Sequence, residues 1–427
     1  MSVKARTPES PRLRLAVFGM LADGVGSGAG TFPVLLGELL ERGHSVDFFG
    51  VPGFTEPRSL ERHDRYTYVG MRLETLERWW WRASEWKTPY PLSVISQLAA
   101  LGFQRQAVQR IEARRERYDL IFCTDAQAFW HSSLPVISWP QSPPQTEGAA
   151  LRAPAIRKQA LAASGVGSYA GVQAFYAYRW LAARAAARHS DVYLCGSDWA
   201  LGEWQRFGVE PGRLRSMPYL VDLAPLAGVP PLEPGSSRPV TFLWLGRATP
   251  RKRLDLFVEG FVRLRQRRPN VRARLVGRLE ADPFARRILE PYAGDPGLSV
   301  EAPVPRADVP KLFAEIDVLV QPSENENFGF SIAEALAAGR PIIAGPTNGT
   351  LEYAGSAGFG LDAYRVDAVA DAMERALVAV TERGPALSTD ARDAARRHFQ
   401  PASVVTRFEA TCYELVSARA AATPTRR

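Results

Sequence analysis

Short apolar runs alternate with helix-periodic stretches twice along this chain, and no other feature restricts its fold as much. In the first series, residues 13–19, 45–50, 119–124, 135–138 and 191–196 read as strands, with helices over 31–42 and 104–116. The series restarts with strands over 240–245, 273–276, 299–302, 318–320 and 341–344. Strands covered by helices on both faces read as near-continuous apolar runs, so each series predicts a doubly wound parallel sheet. Residues 223–239 lie between the series and are rich in Pro, Gly and Ser, which marks a linker. The expected fold class is α/β, with two Rossmann-like parallel-sheet domains facing a cleft. Ligands in such sheets sit at the carboxyl ends of the strands.

Composition removes several alternatives. The 53 basic and 45 acidic residues leave a net charge of +8, which favours anionic partners. Because basic and acidic residues interleave and no nucleic-acid-binding motif is present, no nucleic-acid partner is expected. Cys123, Cys195 and Cys412 match no zinc, haem or redox spacing, and an odd count suits a reducing compartment, so a cytoplasmic location is expected. Residues 15–22 follow several cations and imitate a signal peptide's apolar segment. A glycine loop stands where a cleavage site belongs, so they are read as a buried strand. Residues 159–178 carry no charge, yet three glycines, two glutamines, two serines and three tyrosines make them too polar to insert in a bilayer. They predict a soluble or surface-resting helix.

Three clusters carry candidate chemistry. Gly24, Gly26, Gly28 and Gly30 follow the first strand, where glycine lets the backbone approach a ligand and a helix N-terminus offers N–H groups. An ordinary strand-to-helix turn explains them equally well. Next, Arg247 and Lys252 follow the strand over 242–245, with Gly246 and Pro250 shaping the turn. Two cations there suit a pyrophosphate, although Arg251 and Arg253 also allow a solvated basic loop. The third cluster is the most specific. Glu326 stands in the loop after the strand over 318–320, where a carboxylate can accept hydrogen bonds from sugar hydroxyls. Phe328, Gly329 and Phe330 lead into a helix over 332–338, with N–H groups directed toward an anion. Glu334, one turn inside, is within reach of a ribose diol. Ser331 and Glu334 also form the sequence of a capping box, which would stabilise the helix without a ligand.

Glu326 through Glu334 resembles the E-x7-E motif of the retaining GT-B glycosyltransferases of the family 4-like group. The likeness extends in family order: Arg42-Gly43-His44-Ser45-Val46 resembles its R-G-H-x-V strand entry, and Pro218-Tyr219-Leu220-Val221-Asp222 its P-N-G-V-D hinge. Gly246-Arg247 with Lys252 resembles G-R…K-G, and Asn348-Gly349-Thr350-Leu351-Glu352 resembles G-G-x-P-E. By this resemblance Arg247 and Lys252 hold the donor diphosphate, Glu326 the donor sugar and Glu334 the nucleotide ribose, with Gly329 and Phe330 supplying backbone donors. Residues 1–222 would form the acceptor-binding domain, 223–239 the linker and 240–390 the nucleotide-sugar-binding domain. Residues 391–427 would pack back on the first domain as a helix with a basic tail. Three departures stand out: Arg253 replaces the glycine of K-G, the hinge lacks its Asn and Gly, and Gln141 lies where many members carry a histidine. Gln141 cannot titrate, so an acceptor or sugar contact is expected of it. His131 is a further acceptor-side candidate, with a structural role as its alternative.

The resemblance implies sugar transfer from a nucleotide-sugar donor with retention of anomeric configuration. The competing reading is a nucleotide-sugar-binding or regulatory module that has lost transfer. The chain contains no D-x-D, so no metal site and no cofactor are expected, and the two cations would stabilise the leaving diphosphate instead. Trp79, Trp80, Trp81 and Trp86 lie among Arg78, Arg82 and Lys87, and a single helix face cannot hold all four indoles. That pattern suggests a lipid-linked or amphiphilic acceptor and peripheral contact with an anionic inner membrane face, against packing in an acceptor groove.

Overall fold

The computed structural model describes residues 11–19, 21, 28–52, 57–72, 90–124, 127–140, 146, 148, 149, 152, 154–233 and 238–422. Two parallel sheets organise them. The first runs β3-β2-β1-β4-β5-β6-β7 and the second β10-β9-β8-β11-β12-β13.

In the first sheet β1 is Arg14–Gly19, β2 Ser45–Gly50, β3 Tyr66–Gly70, β4 Leu120–Thr124, β5 Val136–Trp139, β6 Val192–Cys195 and β7 Leu214–Ser216. The second holds β8 (Val240–Leu245), β9 (Val271–Val276), β10 (Leu298–Glu301), β11 (Val318–Gln321), β12 (Ile342–Ala344) and β13 (Gly358–Gly360). Central strands such as β4 and β11 are buried along their whole length, as their apolar runs demand. The sequence pattern missed β3, β7 and β13. All three lie at sheet edges, are short or half-exposed, and lack the apolar run that marks a central strand.

The helices of the first half are α1 (Gly28–Glu41), α2 (Tyr90–Glu112), α3 (Pro154–Ala186) and α4 (Asp198–Phe207). Those of the second are α5 (Leu254–Arg267), α6 (Pro283–Leu289), α7 (Val309–Ala314), α8 (Phe330–Ala337), α9 (Val366–Phe399) and α10 (Pro401–Ala422). In α5 the residues Leu254, Phe257, Val258, Phe261 and Leu264 recur at helical spacing and are all buried against the second sheet. Helix α3 bends at Gly165, whose φ of 77° interrupts the helical backbone. Among the described residues no helix is long and apolar enough to cross a membrane.

The chain returns from the second sheet to the first through α10. Phe408 packs at 4.8 Å on Phe122 and stacks on Trp139, while Glu409 accepts from His44 Nε2 at 2.7 Å and pairs with Arg42. His44 Nδ1 accepts the Leu13 N–H at 3.0 Å, so the Arg-Gly-His turn before β2 anchors the C-terminal helix. The connection between the sheets is packed as well: Leu226, Val229 and Leu232 are buried, and Leu232 N–H donates to Ser388 of α9. The basic tail at 423–427 lies outside the described residues, as do Trp79, Trp80, Trp81 and Trp86.

Candidate active site

The carboxyl ends of β8 and β11 are adjacent strands of the second sheet, so the loops leaving them share one rim. After β8 the chain makes a single 3-10 turn, Pro250–Lys252, which ends on Arg253 in the left-handed region at φ 48°. That conformation favours glycine and costs a side-chain-bearing residue about 1–2 kcal/mol. Asp255 grips the Arg253 guanidinium through Nε and Nη2, and Glu324 pairs with Nη1, which offsets the cost. Thus arginine occupies the glycine position of K-G without unmaking the turn.

The turn directs Lys252 and Arg251 at the same carboxylate. Lys252 Nζ lies 2.6 Å and Arg251 Nη1 2.9 Å from Glu326 Oε2. Gln321, buried at the end of β11, accepts from Lys252 Nζ at 3.3 Å through Oε1 and donates to the Leu245 carbonyl through Nε2. Burial by itself would raise the Glu326 carboxyl, but Arg251 and Lys252 outweigh it and hold the group down at about 2. Desolvation lowers the Lys252 ammonium, opposed by Glu326. Arg247 is exposed at the rim, near enough for its charge to add to that lowering, and among the described residues it has no ion-pair partner. The basic turn therefore splits by direction: Arg251 and Lys252 face the carboxylate, Arg253 is structural and Arg247 stands outside them.

Helix α8 begins at Phe330 with Gly329 as its N-cap residue and has no side-chain cap. The Ser331–Glu334 capping box is therefore not formed, because Ser331 lies inside the helix and not at its cap. Glu334 instead receives Arg306 Nη1 at 2.6 Å on Oε1. Burial pushes its carboxyl up and Arg306 opposes the rise. One expected anion donor is already engaged: Gly329 N–H donates to Thr350 Oγ1 at 2.7 Å. Phe330 and Ser331 hold the first two helical positions, where N–H groups have no intrahelical acceptor. The Phe328 ring is buried among Tyr219, Phe330 and Phe399, with centroids 5.0–5.4 Å away, so what it could offer a ligand is its backbone N–H and not its ring.

The first-domain positions chosen from sequence fall in different places. Gln141 and Gly26 lie outside the described residues. Gly28 is the first residue of α1 and Gly30 is in its first turn, so both are helical and not loop positions. His131 precedes β5, its ring 6.4 Å from that of His189, which precedes β6. That places His131 at the amino ends of the strands, away from the rim that carries Glu326. Three groups missed by sequence reading reach that rim: Arg251, Gln321 and Tyr219. Tyr219, in the altered hinge, stacks on Trp139 at 5.0 Å and meets Phe328 and Phe330 at 5.3 and 5.4 Å. A polar residue ending the apolar run of β11 was the available signal for Gln321. Among the described residues no group of three His, Cys, Asp or Glu gathers to hold a metal.

Residues 239–378 match the family model described as "Glycosyl transferases group 1". The D-inositol 3-phosphate glycosyltransferase of Kribbella flavida is 28% identical over 145 residues, which cover 31% of this chain and 34% of that protein. That of Xylanimonas cellulosilytica is 33% identical over 161 residues, covering 36% and 38%. The chain thus spans little more than a third of the length of these curated relatives. The sucrose-phosphate synthase of Thermosynechococcus elongatus superposes with a TM-score of 0.66 at 18% identity, covering 95% of this chain and 100% of that one. Anabaena Alr3699/HepE in complex with UDP-glucose gives 0.62 at 15%, covering 94% and 99%. The whole described architecture is thus the two-domain GT-B fold.

Proposed function

We propose that this chain transfers a sugar from a nucleotide-sugar donor to an acceptor, with retention of anomeric configuration and without a metal ion. The observation that carries the reading is Glu326, fixed by Arg251 and Lys252 on the rim shared by β8 and β11, with Glu334 on the helix that follows. Three cations, Arg247, Arg251 and Lys252, stand against the single carboxylate of Glu326, leaving positive charge for a diphosphate. As the glycosidic bond to the diphosphate breaks, negative charge grows on the leaving oxygen, and those cations with the Phe330 and Ser331 N–H groups stabilise it. Glu326, kept ionised, faces the positive charge that develops on the sugar. The second oxygen of Glu334 is left for the ribose diol. Attack on the same face as departure within a short-lived ion pair needs no enzymic base, in keeping with Gln141 where many relatives of the motif carry histidine.

For the acceptor we propose a lipid-linked or amphiphilic molecule met at the anionic inner face of a membrane. Residues 148–190 contain six cations and no Asp or Glu, and α3 within them exposes Val166, Trp180 and Leu181. An apolar face with basic flanks suits the headgroup level of such a surface. The relatives named for D-inositol 3-phosphate suggest a phosphorylated polyol as the alternative acceptor class.

Incubation with radiolabelled UDP-, GDP- and ADP-sugars, with and without EDTA, tests the donor reading. Slow hydrolysis of one donor, unaffected by EDTA and releasing the sugar in the donor's anomeric form, supports it. Binding of a nucleotide without any donor turnover would leave the regulatory-module reading in its place. Cosedimentation with phosphatidylglycerol vesicles at low salt tests the membrane contact, which fails if the protein stays wholly in the supernatant.

A further inference from the structure

We infer, on the basis of the transfer reading above, that the N-terminal domain positions Glu326 through the residues on either side of it. The donor-site carboxylate is thus set in place by the docking of the two domains. Asn325 and Asn327 flank Glu326, and each bonds across the cleft. Asn325 Nδ2 donates to the Thr146 carbonyl at 3.0 Å, and the Asn327 carbonyl accepts from Ser197 Oγ at 2.9 Å. Thr146 lies in the segment after β5 and Ser197 caps α4, so both partners belong to the first domain.

The backbone makes this a clamp. Asn325 has φ 54°, a left-handed conformation that asparagine tolerates better than most residues. Glu326 N–H donates to the Thr347 carbonyl at 3.0 Å, and the Glu326 carbonyl accepts Gly349 N–H at 2.9 Å. The 347–349 segment is itself held by the first domain. A Cβ on Gly349 would lie 2.0 Å from Ser197 Oγ, so only glycine permits the approach. Three residues on, Glu352 accepts the Asp198 N–H at 2.7 Å and the Trp199 N–H at 3.4 Å, adding a carboxylate to the N-terminus of α4. The Asn325 side chain, the Asn327 carbonyl and Glu352 beyond the 347–349 segment therefore each reach the opposite domain, while the main chain of Glu326 bonds within its own. Lys252 and Arg251 fix the carboxylate from their own domain, and separation of the domains would remove the bridges that Asn325 and Asn327 make on either side of it. Asn325 and Ser197 are positioning residues: neither is placed to touch the reacting atoms.

Asn325→Gly keeps the left-handed backbone without steric strain and removes the bridge to Thr146. Asn325→Asp keeps the shape and sets a carboxylate against the Thr146 carbonyl. Donor turnover in both variants should fall about tenfold or more in kcat, the aspartate variant further, with UDP affinity within threefold of wild type. Amide hydrogen exchange on the full chain should quicken about tenfold at Glu326 and Gly349 and stay unchanged in β8 and β9, which a general loss of stability would not produce. Unchanged exchange at Glu326 and Gly349 in both variants, or unchanged kcat, overturns the inference. If the wild-type chain turns over no sugar donor, the transfer reading fails, and the exchange comparison still decides the positioning, because it needs no turnover.

Discussion

Replacing Glu326 by Gln tests the electrostatics of the site without reference to any substrate. Glutamine keeps the shape and loses the charge, much as protonation would. The carboxyl is held at about 2 against an ordinary value of 4.5, so its ionised form is favoured by about 3 kcal/mol in the fold relative to the unfolded chain. Because the folded value is depressed, that stabilisation is complete above about pH 4.5 and is lost as pH falls toward 2. Glu326→Gln should therefore lower the stability of the C-terminal domain by about 3 kcal/mol at pH 7, and the gap from wild type should narrow as the buffer is taken from pH 4.5 toward 3. Urea unfolding at several pH values, followed by far-ultraviolet circular dichroism, measures both quantities. The same variant should lose transfer while binding a nucleoside diphosphate at least as well as wild type, since Arg251 and Lys252 are no longer shared with a carboxylate. A gap under about 1 kcal/mol at pH 7, or one that does not shrink in acid, refutes the claim that these two cations and not burial govern Glu326.

Other perturbations separate the remaining roles. Lys252→Met and Arg251→Met should each reduce donor turnover by an amount equivalent to about 2–4 kcal/mol, with Arg247→Ala read alongside them; wild-type rates in all three would remove the diphosphate assignment. Glu334→Gln should weaken nucleotide binding, measured by calorimetry, and a change confined to the melting temperature would leave Glu334 a structural residue. Arg306→Met removes the charge that opposes burial at Glu334, so the carboxyl rises further and nucleotide affinity should begin to decline at a higher pH than in wild type; coincident pH profiles count against that pair. Glu409→Ala strips the acceptor from buried His44 Nε2 and the partner from Arg42, a loss of about 2–3 kcal/mol. Limited proteolysis should then cut α10 sooner, and an unchanged digestion pattern would show that Phe408 packing alone holds that helix.

Much of this protein was legible from sequence because the relevant information is local. An apolar run buried on both faces, a helix at 3.6-residue spacing and a glycine ending a strand are each written within a dozen residues. The central strands, the paired-sheet architecture, the cationic turn after β8 and the two glutamates around α8 all follow from such runs. The edge strands β3, β7 and β13 did not, since a half-exposed strand needs no apolar run and takes its identity from the neighbour it pairs with.

Charged partners were decided only by the tertiary structure. Four basic residues from Arg247 to Arg253 are interchangeable in sequence, yet a one-turn 3-10 segment ending in a left-handed arginine sends two of them to Glu326 and one to Asp255. Ser331 and Glu334 have the spacing of a capping box, but the helix starts two residues too early for it, and Arg306 claims the glutamate from another loop. Gly329 N–H turns to Thr350, 21 residues further on. A long, flexible, charged side chain is indifferent to its neighbours in sequence and bonds to whatever the backbone brings within 3 Å, so its role is fixed by the approach of distant segments and not by the run in which it is written.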